Sequence, residues 1–233
     1  MLFLRGTVLA GKKAVAIMSG GMDSTLAAYL MKDKGYEIIG IHFSYGQRTQ
    51  YKELASFHAI CEHLHVNQRY VLPLDFFKDI GASALTDTSI AVPIEGIEPG
   101  VPATYVPFRN GIFLSIAAAI AEKEGAEVLS IGVVEEDSSG YPDCTKAFIE
   151  SMMQSINLGT KGDTNLHIAM PLVTLKKEEI VAKALQLEVP LHLTWSCYQN
   201  ETLACGVCDS CRLRLKGFAL AGTSDPISYE TAT

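Results

Sequence analysis

The sequence predicts an α/β fold, in which helices cover both faces of a mostly parallel central sheet. Short apolar segments of strand length alternate along the chain with longer segments of helical character. The first of these strands runs into a glycine turn that opens a helix. The 233 residues, of which 48% are hydrophobic, suit one well-buried domain and exclude low-complexity disorder.

The individual elements follow in chain order from the apolar runs and the turn residues between them. The predicted strands are 12–18, 37–43, 69–73 and 127–133, with an edge strand at 170–173. The predicted helices are 25–31, 50–64, 110–124 and 176–187. Residues 75–106, rich in Pro, Gly, Thr and acidic residues, are expected to cover an active site. We expect residues 10–190 to form the α/β domain and residues 191–220 a small segment packed on it, as one compact unit.

The charge balance excludes some classes of function. The chain has 19 Lys and Arg against 26 Asp and Glu, which gives a formal net charge of −7. A protein that binds nucleic acid through its phosphate backbone needs a basic face. We therefore expect no direct nucleic-acid binding. The apolar run 112–121 is about half as long as a membrane helix, and Arg5, Lys12 and Lys13 interrupt any signal-peptide core. We expect a cytoplasmic protein with no membrane association.

Four of the six cysteines are clustered near the C-terminus. They form a C-x7-C-x2-C-x2-C pattern made of Cys197, Cys205, Cys208 and Cys211. A reducing compartment keeps thiols free, and four thiolates at short spacing suit a closed tetrahedral zinc site with a structural role. Gly206 supplies turn freedom inside the first two-residue gap. We expect one structural Zn²⁺ per subunit; an iron–sulfur cluster and coincidental clustering in a core are the alternatives.

The glycine turn after the first strand has the composition of an anion-binding loop. It reads Ser19-Gly20-Gly21-Met22-Asp23-Ser24. The glycines allow close backbone approach, and the hydroxyls of Ser19, Ser24 and Thr25 surround the N–H groups of a helix start. The loop is neither a Walker A loop nor a dinucleotide fingerprint. A plain glycine turn with capping serines is the alternative.

SGGMDS resembles the SGGxDS motif of the ATP pyrophosphatases, or PP-loop enzymes. The resemblance implies a Rossmann-like three-layer sandwich of the adenine nucleotide alpha hydrolase type, whose loop holds ATP while a substrate oxygen attacks the α-phosphate. The ATP-binding residues that it implies are Met18, Ser19, Gly20, Gly21, Met22, Asp23, Ser24, Thr25, Leu26, Ala27 and Ala28. Asp23 is expected to act with the Mg²⁺ that accompanies ATP, with a simple helix cap as the alternative.

Three polar clusters flank apolar elements further along the chain. They are residues 45–48, 105–110 and 135–144. In open parallel sheets the ligand lies beyond the carboxyl ends of the strands, so these clusters are expected to form the binding site.

Together with SGGMDS and the cysteine pattern, these clusters resemble the motifs of the 7-cyano-7-deazaguanine synthases of queuosine biosynthesis, the QueC family. The resemblance runs from about residue 14 to 217, and the SGYPDC run and the cysteine spacing are its most specific parts. It implies that 7-carboxy-7-deazaguanine, ammonium and two molecules of ATP yield the nitrile, through an adenylated acid and an adenylated amide, with release of AMP and diphosphate. It also implies a homodimer.

The resemblance further implies roles for single residues. Asp23, Arg109 and Lys177 are the candidate catalytic residues, and Arg109 can pair bidentately with phosphate or carboxylate. The candidate substrate-binding residues are Tyr45, Gln47, Arg48, Glu135, Asp137, Tyr141 and Asp143. For Lys177 the alternative is a solvated first helical turn. Cys144 is expected to be a buried thiol rather than a nucleophile, and His42 a core histidine rather than a base.

One residue departs from the family pattern, because Phe108 stands where the family usually has glycine, and its ring could alter the pocket beside Arg109. Other functions stay open: a PP-loop enzyme that adenylates another carboxylate, a deazaguanine ligase-type paralogue, or a PP-loop tRNA-modifying enzyme. The last should carry a basic RNA-binding face. A non-enzymatic nucleotide-binding or zinc module would not need SGGMDS and the polar clusters together.

Overall fold

The central sheet has five parallel strands in the order β3-β2-β1-β4-β5. A computed structural model describes residues 11–95, 100–135 and 140–230. The strands are β1 Lys13–Ile17, β2 Glu37–Ser44, β3 Gln68–Pro73, β4 Val128–Ser130 and β5 His167–Ala169. The helices are α1 Met22–Asp33, α2 Gln50–His63, α3 Phe76–Ile80, α4 Arg109–Glu124, α5 Lys146–Gly159, α6 Lys177–Gln186 and α7 Asp209–Leu220. The predicted α/β fold with a mostly parallel sheet is confirmed.

The side chains of β1 show how the sheet is buried on both faces. Val15 and Ile17 belong to a core that includes Leu114 and Ala117 of α4. Ala14 and Ala16 point the other way, into a core that includes residues of α1 and α2. Successive strand residues point to opposite faces, so an almost continuously apolar strand requires helices on both sides.

The strand order places a crevice at the carboxyl end of β1. β2 pairs with β1 on one side and β4 pairs with it on the other. The chain runs from β1 outward to β2 and β3, and then crosses back to β4 on the other side of β1. Ligands of doubly wound sheets bind at such a switch point.

The edge strand was predicted at the wrong place. It was expected at 170–173, whereas β5 is His167–Ala169 and residues 171–174 form a turn. Pro171 lacks a backbone N–H and cannot continue a ladder, which explains why pairing ends before it.

Three helices were not predicted from the sequence. α3 lies inside the expected covering segment, α5 follows the third polar cluster, and α7 begins inside the cysteine pattern. The helical spacing of apolar residues in α7 is hard to see in the sequence, because cysteines stand at its start: Cys208 is the N-cap and Cys211 lies in the first turn. Within the described ranges, no helix has both the length and the apolarity that a bilayer crossing requires.

The C-terminal segment packs directly on the α/β domain. The backbone N–H of Trp195 donates to the carbonyl of Gly20 at 2.9 Å. The guanidinium of Arg214, which is 1% exposed, donates to the Asp225 carboxylate and to the Thr194 hydroxyl. The Trp195 bond joins the segment around the cysteines to the glycine turn after β1, and the Arg214 bonds hold the C-terminal part of the chain together.

Candidate active site

A cavity of ≈ 280 Å³ opens at the carboxyl ends of the central strands. Its walls come from the glycine turn, from each of the three polar clusters and from the segment 191–220. Residues of the covering segment, including Leu85 and Thr104, line another side. The expected position of the binding site therefore coincides with a cavity of ligand size.

The glycine turn, residues 19–24, brings hydroxyls and N–H groups together at its mouth. Gly20 has a φ of +87°, and a Cβ there would lie 2.5 Å from the carbonyl oxygen of Glu53, so only glycine fits. The hydroxyls of Ser19 and Ser24 are 3.1 Å apart. In the described part of the chain, no side chain caps the first turn of α1, so its N–H groups are available to an anion.

The residues assigned to ATP binding divide into two groups. Met18, Ser19, Gly21, Met22, Asp23 and Ser24 line the cavity, whereas Gly20 shapes the turn without lining it. Leu26, Ala27 and Ala28 are buried in the helix core, and the Thr25 hydroxyl donates to the Gly21 carbonyl at 2.7 Å. The second group holds α1 in place beneath the turn.

Gly132, which follows β4, was not predicted as a site residue. A Cβ at this position would lie 2.7 Å from the backbone nitrogen of Ser24 and 2.8 Å from the carbonyl carbon of Asp23. Its missing side chain lets the end of β4 touch the first turn of α1. A glycine inside the predicted strand 127–133 was the available sequence signal, because such a glycine often marks a close approach of another backbone.

Lys177 reaches the glycine turn from α6. Its Nζ lies 3.0 Å and 3.3 Å from the two carboxylate oxygens of Asp23. Lys177 is only 9% exposed, so the alternative of a solvated helical turn does not hold for it. A Cβ on Gly217 of α7 would lie 2.4 Å from Lys177 Cγ. The absence of a side chain at 217 therefore makes room for the lysine stem.

Arg109 stands in an aromatic part of the cavity. Its Nη1 donates to the Tyr45 hydroxyl at 3.0 Å. Its guanidinium carbon lies 5.5 Å and 5.7 Å from the ring centroids of Tyr45 and Phe113. Among the described residues, no acceptor meets the buried Arg109 Nε. A cation with aromatic walls and an unused donor suits a planar anionic ligand.

The SGYPDC run contributes polar groups beside Arg109. The Asp143 carboxylate is buried and accepts from the backbone N–H of Asn110 at 2.9 Å. Burial raises the pKa of this carboxyl. The hydroxyls of Tyr141 and Thr104 are hydrogen-bonded to each other. Burial also raises the pKa of the Cys144 thiol to about 11, which keeps it protonated and is consistent with a non-nucleophilic thiol.

Gln47 and Arg48 line the cavity but use their polar groups on the protein. The Gln47 oxygen accepts from the backbone N–H of Tyr45 at 2.9 Å. The Arg48 guanidinium donates to three backbone carbonyls of the covering segment, those of Ala84, Asp87 and Ile90, at 2.7–3.1 Å. Both side chains support the cavity walls, and their predicted contact with substrate stays a prediction.

The remaining two predicted substrate residues are Glu135 and Asp137. Glu135 is exposed outside the cavity and accepts from the backbone N–H of Lys146 at 3.3 Å. Asp137 lies outside the described residues.

Phe108 does not obstruct the Arg109 pocket. Its backbone is left-handed with a φ of +54°, which explains why glycine would suit the position. The ring packs against Phe148 at 5.6 Å and over Gly111, where a Cβ would lie 2.4 Å from it. The ring thus lies outside the cavity wall and does not alter the pocket beside Arg109, as the sequence had suggested it could.

His42 supports the glycine turn from inside the sheet. It is fully buried, and its Nδ1 lies 3.0 Å from the carbonyl oxygen of Met18. Because a carbonyl only accepts, Nδ1 carries the hydrogen. Burial lowers the pKa of His42 to about 4. The neutral ring is therefore a core group, in line with the expectation.

Sequence reasoning missed Glu53 and Tyr198, which both line the cavity. Glu53 lies on α2, one helical turn before the buried Phe57 and two before the buried Ile60. An acidic residue on the buried stripe of an amphipathic helix was the available signal. Tyr198 lies one residue after Cys197, and burial raises its pKa well above the ordinary value.

The four clustered cysteines converge on one point. Their sulfur atoms all lie within 4.8 Å of one another, and all four residues are buried. A tetrahedral ion with metal–sulfur bonds of about 2.3 Å separates its sulfurs by about 3.8 Å. Backbone N–H groups point at the sulfurs, for instance from Cys205 to Cys197 and from Cys208 to Cys205, both at 3.4 Å. The cluster can hold a metal ion.

Comparison with known proteins identifies the family. The family described as queuosine biosynthesis protein QueC matches residues 13–222. The 7-cyano-7-deazaguanine synthase of Sulfurimonas denitrificans is 67% identical over 221 residues, which are 95% of this chain and 99% of that protein. That of Nautilia profundicola is 64% identical over 219 residues, covering 94% and 99%.

A solved structure supports the fold alone. It is described as a predicted subunit of tRNA methyltransferase from Methanocaldococcus jannaschii, with a TM-score of 0.52, 16% identity, and coverage of 95% of this chain and 94% of that one. The family match spans both the glycine turn and the cysteine cluster, and relatives above 60% identity align along almost their full length. The chain therefore belongs to the QueC family.

Proposed function

We propose that the chain is a 7-cyano-7-deazaguanine synthase of queuosine biosynthesis, which converts 7-carboxy-7-deazaguanine, ammonium and two molecules of ATP into the nitrile. One observation carries this proposal: the glycine turn and the Arg109 pocket open into the same cavity. A nucleotide at the turn and a planar carboxylate at Arg109 would then meet, and holding two reactants in contact is the main contribution an adenylating enzyme makes.

The glycine turn would hold the diphosphate part of ATP. The hydroxyls of Ser19 and Ser24 and the N–H groups of α1 are donors for phosphate oxygens. Lys177 would neutralise charge that develops on the leaving diphosphate. Asp23, next to Lys177, would take part in placing Mg²⁺, an ion that binds carboxylate oxygens together with substrate phosphates.

Arg109 would orient the carboxylate of the deazaguanine. A guanidinium holds both carboxylate oxygens, which points one of them at the α-phosphate. The adenylated acid would react with ammonia to give the amide, whose oxygen attacks a second α-phosphate before the nitrile forms. Both activations place an oxygen nucleophile on phosphorus, so one cavity can serve both.

The polar groups beside Arg109 would recognise the ring of the substrate. Asp143 and Tyr141 offer an acceptor and a hydroxyl for the amino and ring N–H groups. Tyr45 supplies an aromatic wall. Asp137 keeps its proposed role in ring recognition, whereas Glu135, exposed outside the cavity, would support the backbone at Lys146.

The metal at the cysteine cluster would be one structural Zn²⁺ per subunit. Four thiolates around one ion leave no position for substrate. The short distances between sulfurs favour a single ion over a four-iron cluster, whose ligand sulfurs are spread further apart. Elemental analysis should find equimolar zinc, absent from Cys205→Ala. Iron with visible absorbance would refute this assignment.

The proposal includes a cytoplasmic homodimer that acts on small molecules and not directly on nucleic acid. Light scattering of the purified protein measures the subunit number, and a monomer at micromolar concentration would contradict the dimer.

The decisive test is incubation with ATP, Mg²⁺, ammonium and 7-carboxy-7-deazaguanine, followed by mass spectrometry of the products. The nitrile and AMP should appear together. Asp23→Ala should lose turnover and keep the fold, whereas Cys208→Ala should lose thermal stability first. AMP without nitrile, or no substrate-dependent AMP, would refute the synthase and favour an enzyme for another carboxylate.

A further inference from the structure

Three carboxylates line the described part of the cavity, and Glu53 differs from the other two. Asp23 is paired with Lys177 at 3.0 Å. Asp143 accepts from a backbone N–H and lies beside Arg109. Glu53 accepts only from neutral side chains, the Gln47 amide at 3.0 Å and the Thr49 hydroxyl at 2.8 Å.

No cation of the described chain forms an ion pair with Glu53, and the Arg109 charge acts on it only from a longer distance. Among the described residues, no Lys, Arg or His nitrogen lies within ion-pair distance of its carboxylate. A carboxylate accepts about four hydrogen bonds, and the two neutral donors occupy two of these positions. A desolvated carboxylate without a cation is costly, so the site is complementary to a small cation that donates hydrogen bonds.

The Glu53 carboxylate lies where a reactant of the proposed acyl transfer would have to bind. The backbone of Glu53 touches the glycine turn, since a Cβ on Gly20 would lie 2.5 Å from its carbonyl oxygen. The Gln47 amide joins the carboxylate to the backbone of Tyr45, whose hydroxyl binds Arg109. Glu53 therefore stands between the proposed phosphate site and the proposed carboxylate site.

We propose that Glu53 binds the ammonium substrate and takes a proton from it, with Gln47 and Thr49 holding its carboxylate in place. This inference rests on the proposed function. Ammonium has four N–H donors and fits a carboxylate with two open acceptor positions. Burial raises the pKa of Glu53, which helps the carboxyl to keep the proton it receives.

The step balances. Ammonium gives one proton to Glu53, and the electron pair stays on nitrogen. Ammonia attacks the acyl carbon of the adenylate, so that the C–N bond forms while the C–O bond to AMP breaks. The electron pair of that bond leaves with the AMP phosphate. The second proton lost from nitrogen passes to solvent, and the amide remains.

The test separates adenylation from amination in Glu53→Gln. Carboxylate-dependent exchange of labelled diphosphate into ATP needs no ammonia and should stay within twofold of the wild type. The KM for ammonium in amide and nitrile formation should rise at least about tenfold, the effect of losing one charged hydrogen bond. Hydroxylamine is mostly uncharged at pH 8 and needs no deprotonation, so hydroxamate formation should be largely retained.

The control is Glu62→Gln, because Glu62 lies on the same helix and is exposed, with a side chain 74% accessible. This variant should leave diphosphate exchange, the KM for ammonium and hydroxamate formation unchanged. If Glu53→Gln does not fold, Glu53→Asp, which withdraws the carboxylate by one methylene, should raise the KM for ammonium while diphosphate exchange persists.

Several results would overturn the inference. They are an unchanged KM for ammonium, an equal loss with hydroxylamine, or a loss of exchange as large as the loss of amination. Failure of the proposed function looks different, because the wild type itself would then show no exchange dependent on the carboxy-deazaguanine.

Discussion

Gly132→Ala tests whether the contact between β4 and the glycine turn positions the nucleotide. The added Cβ would lie 2.7 Å from the backbone nitrogen of Ser24, whereas ordinary contacts begin at 3.4 Å. The first turn of α1 must therefore move by about 0.7 Å, because the neighbouring atoms are backbone and cannot swing aside. Misplacing reacting groups by about 1 Å can cost about 100-fold in rate.

We expect Gly132→Ala to lower the rate of diphosphate exchange between about 10- and 100-fold. The three atoms nearest to the added Cβ all belong to Asp23 and Ser24, so the metal content of the cysteine cluster should stay at the wild-type value. The matched control is Gly162→Ala, because a Cβ at Gly162 meets nothing within 4 Å. Wild-type exchange in Gly132→Ala would refute the reasoning, since the close contact would then have no bearing on the reaction.

The other predictions concern residues that support the cavity. The pKa of His42 is about 4 in the folded protein, below the ordinary 6.5. Below pH 6.5 the unfolded chain therefore binds a proton that the folded protein does not bind, and the free energy of unfolding falls by about 3 kcal/mol between pH 6.5 and pH 4. Urea unfolding should show the free-energy difference between wild type and His42→Asn shrinking by this amount. Arg48→Ala removes three hydrogen bonds to the covering segment, and protease cleavage between residues 84 and 90 should become about tenfold faster. Phe108→Gly relieves a left-handed backbone but loses the Phe148 contact, so stability should change by less than about 1 kcal/mol and the KM for the carboxylate by less than twofold.

Each of these predictions has a contradicting result. A constant difference between wild type and His42→Asn from pH 7 to pH 4 would show that the ring does not titrate as a buried neutral group. Equal cleavage of Arg48→Ala and wild type would mean that other contacts hold the segment. A tenfold change of KM in Phe108→Gly would place the ring in the substrate pocket after all.

The local motifs could be predicted because their chemistry lies in neighbouring residues. The composition of the turn 19–24 is enough to predict an anion-binding loop. The spacing of the cysteines within 197–211 is enough to predict a metal cluster. The strands were predicted well where apolar runs end in turns, as at 37–43. The prediction at 170–173 was displaced because an apolar stretch does not show where pairing stops, and Pro171 ends it.

Roles at the strand ends were harder to predict, because a polar residue there can face either ligand or protein. Arg48 belongs to a cluster typical of a binding site, yet the structure gives its guanidinium three carbonyls some forty residues away in the chain. Glu53 shows the reverse, since it was read as part of an ordinary helix. Its importance depends on burial, which is a property of the packed molecule.

The sequence by itself determined the α/β class, the anion-binding turn and the metal-binding pattern, since each rests on the conformational preferences and spacing of residues close in the chain. Only the tertiary structure decided which distant groups meet. Lys177 reaches Asp23 across 154 positions, and this requires α7 to present Gly217 where a side chain would block the lysine stem. Such contacts depend on how closely helices and strands pack, because burial and charge pairing act through distance in space and not along the chain.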